Sequence, residues 1–380
     1  MCRLFVYTII RCFYENIYIF NKFQRGQSMS DYLDFLSGYF ENSFKSYALF
    51  DKDFNLIKGN TDLFSNGLLL ENLVVYDKNG RETDFYLAGE KYGIIKQGRK
   101  LTAVTVTPVY YGDELYGYSV VLLAPYELFG GELVSRKTSG DVRHHVSAII
   151  ANTSVLKDSL EAAELYDQCI YTDDAFSNCM KLLSAITNSE MITAMFENRE
   201  RNAVCDVSTI MNELIQVVKF SFSTNMTITE EIEANLYADI DKEQFVSVVM
   251  NLIVNSYLYN LSDEKKVFIS LKRINENIVV TVDDNGSGID ESYLKDFIPT
   301  KKPVLLGKEG LGLAVAKLFA RVHNGDMNII SKGEGIGTTV RVSVPACEPD
   351  QSFTMSNARD YIKNRFSTLY VVLAKAGLKD

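Results

Sequence analysis

Four segments between residues 241 and 339 combine side chains and glycines that suit a phosphate-containing ligand. The first is a polar stripe on a predicted helix, where Ser247, Asn251 and Asn255 recur every four residues among apolar neighbours. An amide oxygen is a suitable ligand for Mg²⁺, which keeps several waters and takes its other ligands from phosphates. Taken alone, the stripe is equally typical of a solvated helix face.

Three glycine-rich segments follow the stripe. Residues 284–289 read Asp-Asn-Gly-Ser-Gly-Ile directly after a predicted strand, so the backbone there can approach a ligand closely. The Asp284 carboxylate can accept a hydrogen bond from an amino group such as that of adenine. Residues 307–313 (Gly-Lys-Glu-Gly-Leu-Gly-Leu) open a helix whose backbone N–H groups suit phosphate oxygens, and residues 333–339 enter the last strand. All four segments, in this order and at these spacings, are strong evidence for one ligand site.

With these motifs, residues 134–346 resemble the sensor histidine kinases, whose ATP-binding domain belongs to the gyrase-type ATPase superfamily. Residues 251–255 resemble the N box of that family, 284–289 the G1 box, Phe297 the F box and 310–313 the G2 box. The resemblance implies ATP and Mg²⁺ as cofactors.

The resemblance also assigns roles to individual residues. It implies that Asn255 holds Mg²⁺, that Asp284 binds the adenine amino group, and that Gly310 belongs to the phosphate lid. Lys308 stands where many family members have glycine, and it can supply charge to the phosphates. The complete set of implied nucleotide-binding residues is Asn251, Asn255, Asp284, Gly286, Gly288, Lys308, Gly310, Gly312 and Thr338.

Position 251 also separates a kinase from an ATP hydrolase. Hydrolytic members of the superfamily have a glutamate four residues before the Mg²⁺-binding asparagine, and its carboxylate takes a proton from the attacking water. Asn251 occupies that position here, and an amide cannot act as a base. Phosphoryl transfer to a protein nucleophile does not need this base, because positioning and charge neutralisation do most of the work.

The phosphate acceptor of the family is a histidine in a His-acid-x-Arg segment. Residues 140–145 read Gly-Asp-Val-Arg-His-His, so Asp141 and Arg143 match the family but Gly140 occupies the acceptor position. His144 lies one helical turn later and three residues from Asp141, which can orient or deprotonate the imidazole. We therefore predict His144 and Asp141 as the catalytic pair. A structural role for the histidine is the alternative.

The pattern of predicted helices and strands around these residues indicates an α+β multidomain chain. At about 150 residues per domain, 380 residues suggest two or three domains. We expect an N-terminal extension (1–30), a PAS-like sensor domain (31–128), a helical dimerisation domain (134–200), an α/β-sandwich ATP-binding domain (203–346) and a helical C-terminal tail (347–380).

The PAS-like interpretation depends on pattern and length, and a purely structural α+β module is the alternative. A helix is predicted at 31–44. A hairpin signal joins two short strands at 47–50 and 55–58. Further strands are predicted at 92–96, 101–111 and 116–123, with a turn at Gly112 and Asp113.

Residues 134–200 predict an antiparallel helical hairpin, with a polar break around 158–167. Its apolar stripe exceeds what two helices can bury, so we expect a homodimer that completes a four-helix bundle. The stripe positions at helical spacing are Val146, Ile149, Ile150, Val155 and Leu160, then Phe176, Met180, Leu183, Ile186 and Met191.

Residues 203–346 alternate helices and strands. Asp241 and Gln244 predict a capping box for the helix that carries the polar stripe. Two-residue alternation over 339–344 predicts a sheet with one face covered by helices. The predicted helices span 208–220, 241–259 and 312–322, and the predicted strands span 266–272, 277–283, 327–331 and 338–344.

The amino-acid composition bears on the partners and the compartment of the protein. The net charge of −10 disfavours a nucleic-acid partner, and the six cysteines include no C-x-x-C pair, as expected for free thiols in a reducing cytosol. The apolar stretch at 4–20 contains Arg11 and Glu15, and its longest uncharged run falls well short of the ~20 residues of a spanning helix. We predict a cytoplasmic protein, with peripheral membrane attachment through residues 1–28 as the alternative.

Together these features predict a dimeric, ATP-dependent sensor histidine kinase with an unknown signal at its N-terminal domain. It would transfer the γ-phosphoryl group to a histidine and then to a response regulator. The main alternative is an ATP-binding pseudokinase that acts as a scaffold or allosteric partner without autophosphorylation. A serine kinase on a related ATP-binding domain is less favoured, because it leaves the helical hairpin unexplained.

Overall fold

The computed structural model describes residues 46–60, 73–76, 91–111, 114–123, 136–197, 202–222, 225–289, 311–331, 336–349 and 373. Within these ranges the chain forms five helices and thirteen strands. The chain divides into two compact units, centred on the N-terminal sheet and on the remainder of the chain. The helix predicted at 31–44, the extension 1–30 and nearly all of the tail 347–380 lie outside the described residues.

A six-stranded sheet forms the N-terminal unit, with strand order β2-β1-β6-β5-β4-β3. Strand β1 pairs antiparallel with both β2 and β6, which confirms the predicted hairpin. Apolar side chains from one face, including Phe50, Val104 and Val120, form its main core cluster. The strands are β1 Tyr47–Asp51, β2 Leu56–Gly59, β3 Leu73–Tyr76, β4 Lys91–Gln97, β5 Lys100–Tyr111 and β6 Glu114–Leu123.

Two long helices form the predicted hairpin, α1 (Arg136–Ala162) and α2 (Tyr166–Phe196). Val146 and Ile150 of α1 pack against Met180 and Leu183 of α2, as the helical spacing predicts. Other apolar side chains of the hairpin stay exposed, among them Ile149 at 49%, Val155 at 65% and Tyr171 at 75%. The hairpin therefore leaves several large apolar side chains uncovered.

The C-terminal part contains a five-stranded sheet with order β12-β13-β11-β10-β8 and a two-stranded sheet of β7 and β9. Strand β8 runs parallel to β10, and the other pairs of the larger sheet are antiparallel. The elements are β7 Asn202–Asp206, α3 Val207–Ser221, β8 Thr227–Ile232, β9 Tyr237–Asp241, α4 Lys242–Leu258, β10 Lys266–Ile274, β11 Asn277–Asp284, α5 Gly312–Val322, β12 Met327–Ser331 and β13 Thr338–Pro345.

Alternating burial on the larger sheet confirms the predicted pattern. Val340, Val342 and Val344 of β13 are buried, whereas Arg341 between them is exposed. The helices α3, α4 and α5 lie against this sheet and supply large buried side chains such as Phe245 and Phe319. The sheet and the helices thus share one core, which fixes α4 relative to the end of β11.

Half of the predicted capping box at the start of α4 is confirmed. Asp241 is the N-cap, and its Oδ1 accepts a hydrogen bond from the Gln244 backbone N–H at 3.0 Å. The reciprocal bond from the Gln244 side chain was a wrong expectation, because the Asp241 N–H donates to Nε2 of His323 at 3.3 Å. The buried imidazole at the end of α5 therefore takes the place of the glutamine.

Helix α3 begins one residue earlier than predicted. Asp206 is its N-cap and accepts from the Thr209 N–H at 2.9 Å. Ser208, which the sequence suggested as the start, instead donates to the Glu233 carbonyl at 2.7 Å and accepts from the Leu236 N–H at 3.0 Å. Among the helices of the described ranges, none combines the length and the apolar character needed to cross a membrane.

Candidate nucleotide-binding site

The Asp284 carboxylate stands at the end of β11, directly before the glycine-rich segment. Its Oδ1 accepts from the backbone N–H groups of Gly286 at 2.8 Å and Thr338 at 3.1 Å, and its Oδ2 accepts from the Ser256 hydroxyl at 3.1 Å. A carboxylate has about four acceptor positions, so these three donors leave capacity on Oδ2 for a ligand amino group. The carboxylate is thus held in a fixed orientation.

Burial raises the pKa of Asp284 above its ordinary value, although its three hydrogen bonds act in the opposite direction. Burial makes the charged form of this carboxylate less stable. A ligand that donates a further hydrogen bond would therefore stabilise the charged form. Perturbed carboxylates of this kind are common at functional sites. The electrostatics therefore fit a binding role for Asp284.

The backbone approaches Asp284 so closely that two glycines are required. A Cβ on Gly286 would lie 3.0 Å from Oδ1 of Asp284 and 3.1 Å from the Tyr259 carbonyl oxygen. Gly337 has a φ of +107°, and a Cβ there would lie 1.9 Å from the Asp284 carbonyl oxygen. Gly288 adopts a φ of +76°. The glycines of two separate predicted segments therefore build the same corner.

Side-chain bonds fasten the end of α4 to this corner. The Ser287 hydroxyl donates to the Tyr259 carbonyl at 2.8 Å, and the Asn260 amide donates to Oδ1 of Asn285 at 2.8 Å. The Lys266 N–H donates to the same oxygen of Asn285 at 2.7 Å. These bonds connect the helix that carries Asn255 to the loop after Asp284.

The predicted polar stripe of α4 divides between two environments. Ser247 and Asn251 are buried, whereas Asn255 is partly exposed. Residues four apart on a helix rotate by about 40°, so the ends of this stripe point in directions about 80° apart. Asn255 keeps an accessible amide oxygen of the kind that Mg²⁺ binds.

Asn251 differs from the sequence prediction in its surroundings. Its side-chain amide nitrogen donates to Oδ1 of Asn188 on α2 at 3.2 Å and to the Ser247 hydroxyl at 3.4 Å. The residue is only 3% exposed. Its predicted contact with a nucleotide stays a prediction, and the structure pairs it with the hairpin.

The remaining predicted residues lie at the edge of the described ranges or beyond it. Gly312 is the first residue of α5. Thr338 is the first residue of β13, and its N–H donates a hydrogen bond to the Asp284 carboxylate. Phe297, Lys308 and Gly310 lie outside the described residues.

The acceptor segment lies on the exposed side of α1. Asp141 and His144 are both exposed, and among the described residues no hydrogen bond joins them. Arg143 points instead toward α2, where its guanidinium bonds Glu190 Oε2 at 2.5 Å and Thr187 Oγ1 at 2.9 Å. A Cβ built on Gly140 meets no atom within 4 Å, so a side chain fits there.

Sequence reasoning missed two residues of this site. Ser256 follows Asn255 on α4, and its hydroxyl holds the Asp284 carboxylate. Asn188 on α2 bonds Asn251. The position of Ser256 beside a predicted ligand could have indicated its role. Nothing in the local sequence indicates that Asn188 contacts Asn251, which lies more than sixty positions away.

Known proteins resemble this chain in the same region. Residues 240–348 match the family described as "Histidine kinase-, DNA gyrase B-, and HSP90-like ATPase". Sensor protein kinase WalK of Staphylococcus epidermidis is 22% identical over 298 residues, covering 74% of this chain and 47% of that protein. Sensor histidine kinase WalK of Bacillus subtilis is 31% identical over 160 residues, covering 37% of this chain and 26% of that protein.

A solved structure, full-length ShkA in complex with AMPPNP, aligns with a TM-score of 0.40 at 14% identity, over 54% of this chain and 46% of that one. By the family match, residues 240–348 form an ATPase domain of the histidine kinase, DNA gyrase B and HSP90 type. The chain is thus similar to sensor histidine kinases. It spans about half the length of the curated relatives it matches.

Proposed function

We propose that this chain is an ATP-dependent histidine kinase of two-component signal transduction. The observation that carries the proposal is the Asp284 carboxylate, held by Gly286, Thr338 and Ser256 beside the helix of Asn255, inside the region matched to the ATPase family. The arrangement offers one anchored acceptor to an adenine amino group. It also places an amide oxygen within the same domain for a phosphate-bound metal ion.

The nucleotide would be held by residues of both described and undescribed segments. Asp284 would accept from the adenine amino group, and the backbone at Gly286 and Gly288 would lie against the base. Asn255 would hold Mg²⁺, which supplies positive charge that neutralises the phosphates during transfer. Lys308 and the backbone at Gly310 and Gly312 would contact the phosphates, with Thr338 supporting Asp284 from β13.

His144 would act as the nucleophile, with Asp141 positioned to orient its ring. A ring nitrogen would form a bond to the γ-phosphorus, the bond from that phosphorus to the bridging oxygen would break, and ADP would leave. Both side chains are exposed on α1, as a group that must meet a second domain requires. The phosphoryl group would then pass to an aspartate of a response regulator.

We also propose that the chain works as a homodimer. The apolar residues left exposed on both hairpin helices, such as Ile149, Val155 and Tyr171, would be covered by a second hairpin in a four-helix bundle. The proposed dimerisation domain spans 134–200 and the ATP-binding domain 203–346. Because the kinase reaction consumes ATP, we place these domains in the cytoplasm.

The N-terminal sheet supports the proposal of a PAS-like input domain at 31–128. In the strand order of this sheet, β2 and β1 lie at one side. Strands β6, β5, β4 and β3 follow as successive neighbours. One face carries a continuous apolar cluster that includes Phe50, Val104 and Tyr118. Such a face can pack against helices or enclose a small ligand.

Radiolabelling tests the proposal directly. Incubation with γ-labelled ATP and Mg²⁺ should give a label that is lost in acid and kept in alkali, as expected for phosphohistidine. The label should be absent in Asn255→Ala and His144→Ala and present in the matched control His145→Ala. An unlabelled wild-type chain that still binds ATP would contradict the kinase and favour a pseudokinase scaffold, and an acid-stable label would favour a serine kinase.

A further inference from the structure

The hairpin and the ATP-binding domain share a buried pair of amides. The Asn251 amide of α4 donates to the Asn188 side-chain oxygen of α2 at 3.2 Å. Asn188 is 4% exposed and Asn251 is 3% exposed. Buried amides that lose their partner cost more than the bond contributes when it is made, so such a pair selects one arrangement of two elements rather than adding much stability.

The buried residues of α2 and α4 near the pair are both polar and apolar, and the polar ones include Ser184, Ser189 and Ser247. Ile192 and Met195, on later turns of α2, are fully buried, as are Val248 and Leu252 on α4. Helix α2 also packs against α5. Asn251 also donates to the Ser247 hydroxyl at 3.4 Å, so the pair belongs to a small buried polar cluster, where an amide without a partner is disfavoured.

The same asparagine lies beside Gly312 at the start of α5. A Cβ on Gly312 would lie 3.4 Å from both Cγ and Oδ1 of Asn251. Gly312 is the sixth residue of the glycine-rich segment 307–313, which we propose contacts the phosphates. A shift of the backbone at Gly312 would therefore change the space available to the Asn251 side chain.

The turn of α2 that carries Asn188 also holds α1. Thr187 and Glu190 bind the Arg143 guanidinium at 2.9 Å and 2.5 Å, and the Ser139 hydroxyl donates to Glu190 as well. Ser139 and Arg143 flank Gly140 and Asp141 and lie just before His144. Residues 187–190 thus contact the acceptor segment on one side and the ATP-binding domain on the other.

We propose that Asn251 is an interdomain positioning residue rather than a nucleotide ligand. Its bond to Asn188 fixes the ATP-binding domain on α2, and its contact with Gly312 makes that bond sensitive to the phosphate-binding segment. Nucleotide binding is thereby coupled to the turn of α2 that holds the acceptor segment. The nucleotide-binding part of this coupling rests on the proposed function. The link between Asn188 and Asn251 does not.

A double-substitution cycle on the full chain tests the link. Asn188→Ala and Asn251→Ala should each lower the midpoint of urea unfolding, and the double variant should fall no lower than the worse single variant. Their affinities for a non-hydrolysable ATP analogue with Mg²⁺ should shift in the same direction and by the same factor. Additive midpoints, or a tenfold loss of affinity in Asn251→Ala alone, would overturn the proposal.

A second measurement tests the coupling itself. In the wild type, the ATP analogue should change hydrogen–deuterium exchange of the backbone amides at 183–192, and Asn251→Ala should abolish that change while still binding the analogue. Exchange that responds equally in both proteins would exclude the coupling. Should the wild type bind no analogue, the proposed function fails, but the unfolding midpoints still decide whether the two amides are linked.

Discussion

The Ser256 hydroxyl donates to Oδ2 of Asp284 at 3.1 Å, which joins α4 to the end of β11 at the centre of the candidate site. The neighbouring residue on α4 is Asn255, the proposed Mg²⁺ ligand. The carboxylate that we propose binds adenine is therefore held by the residue next to the proposed Mg²⁺ ligand on the same helix. Their separation is set by a rigid element rather than by a loop.

Ser256→Ala should weaken ATP binding by roughly fivefold, because a single hydrogen bond contributes about 1 kcal/mol and the Asp284 carboxylate would lose one of three donors. Calorimetric titration with Mg²⁺ and ATP measures the change. Ser159→Ala, at an exposed site on α1, is the matched control and should bind as the wild type does. An unchanged affinity in Ser256→Ala would show that the hydroxyl does not position the carboxylate.

Asp284→Asn should leave the chain at least as stable as the wild type at neutral pH. Burial raises the folded-state pKa of Asp284, so the folded chain binds this proton more tightly than the unfolded chain does. The contribution of Asp284 to stability is therefore most favourable below the ordinary aspartate range and declines as pH rises through the folded pKa. Urea midpoints of both proteins between pH 4 and pH 7 give the difference directly.

The advantage of the Asp284→Asn variant should shrink as pH falls, because the wild-type carboxyl becomes neutral. Asp326→Asn, on the exposed turn before β12, serves as a control for loss of one negative charge. A variant that is clearly less stable than the wild type at pH 7 would mean that the hydrogen bonds of the carboxylate outweigh its burial.

Gly140→His should create or increase histidine phosphorylation. A Cβ at this position meets no atom within 4 Å, and in the resembling family the acceptor histidine stands there. Replacing glycine by alanine inside a helix also stabilises it by roughly 0.5–1 kcal/mol, and histidine, a weaker helix former, stabilises it by less. Labelling with γ-labelled ATP measures the first effect and thermal unfolding the second.

Gly140→Ala separates the two effects, because alanine supplies the helix preference without a nucleophile. It should gain stability and no label. If Gly140→His takes up no more label than Gly140→Ala, then the ATP-binding domain does not reach this turn of α1.

Lowering the pH below about 6.5 should destabilise the chain through His323. The ring is buried, which lowers its pKa, and its Nε2 accepts from the Asp241 N–H. The unfolded chain therefore takes up the proton first, so this stability is complete above the ordinary histidine range and is lost as pH falls through it. His323→Gln should show a smaller loss of urea midpoint between pH 7.5 and pH 5.5.

His145→Gln is the control for that comparison, because His145 is exposed on α1. It should keep the acid sensitivity of the wild type. An equal loss of acid sensitivity in both variants would place the titrating group elsewhere.

Elements with strong periodicity were predictable from the sequence. Helix α5 and strand β12 begin and end at the predicted residues, and α4 differs only at its ends. Strand β8 was missed, because its short sequence Thr-Ile-Thr-Glu-Glu-Ile is largely exposed and is stabilised by pairing with β10. Strands β3, β7 and β9 are likewise short and were not predicted.

The candidate site was predicted less completely, because its geometry depends on tertiary contacts. Asp284 and its glycines follow from local motif chemistry, and the structure adds the bonds from Ser256 and Thr338. The environment of Asn251 could not be predicted, since Asn188 lies on another helix. Likewise, spacing alone could not show that His323 would complete the cap of α4.

The most direct test is calorimetric titration of the purified chain with ATP in the presence of Mg²⁺. We predict saturable binding of one nucleotide per chain, with the heat lost in both Asp284→Asn and Asn255→Ala while both variants stay folded. Absence of heat from the folded wild type, or undiminished binding in both variants, would contradict a nucleotide site between α4 and the end of β11.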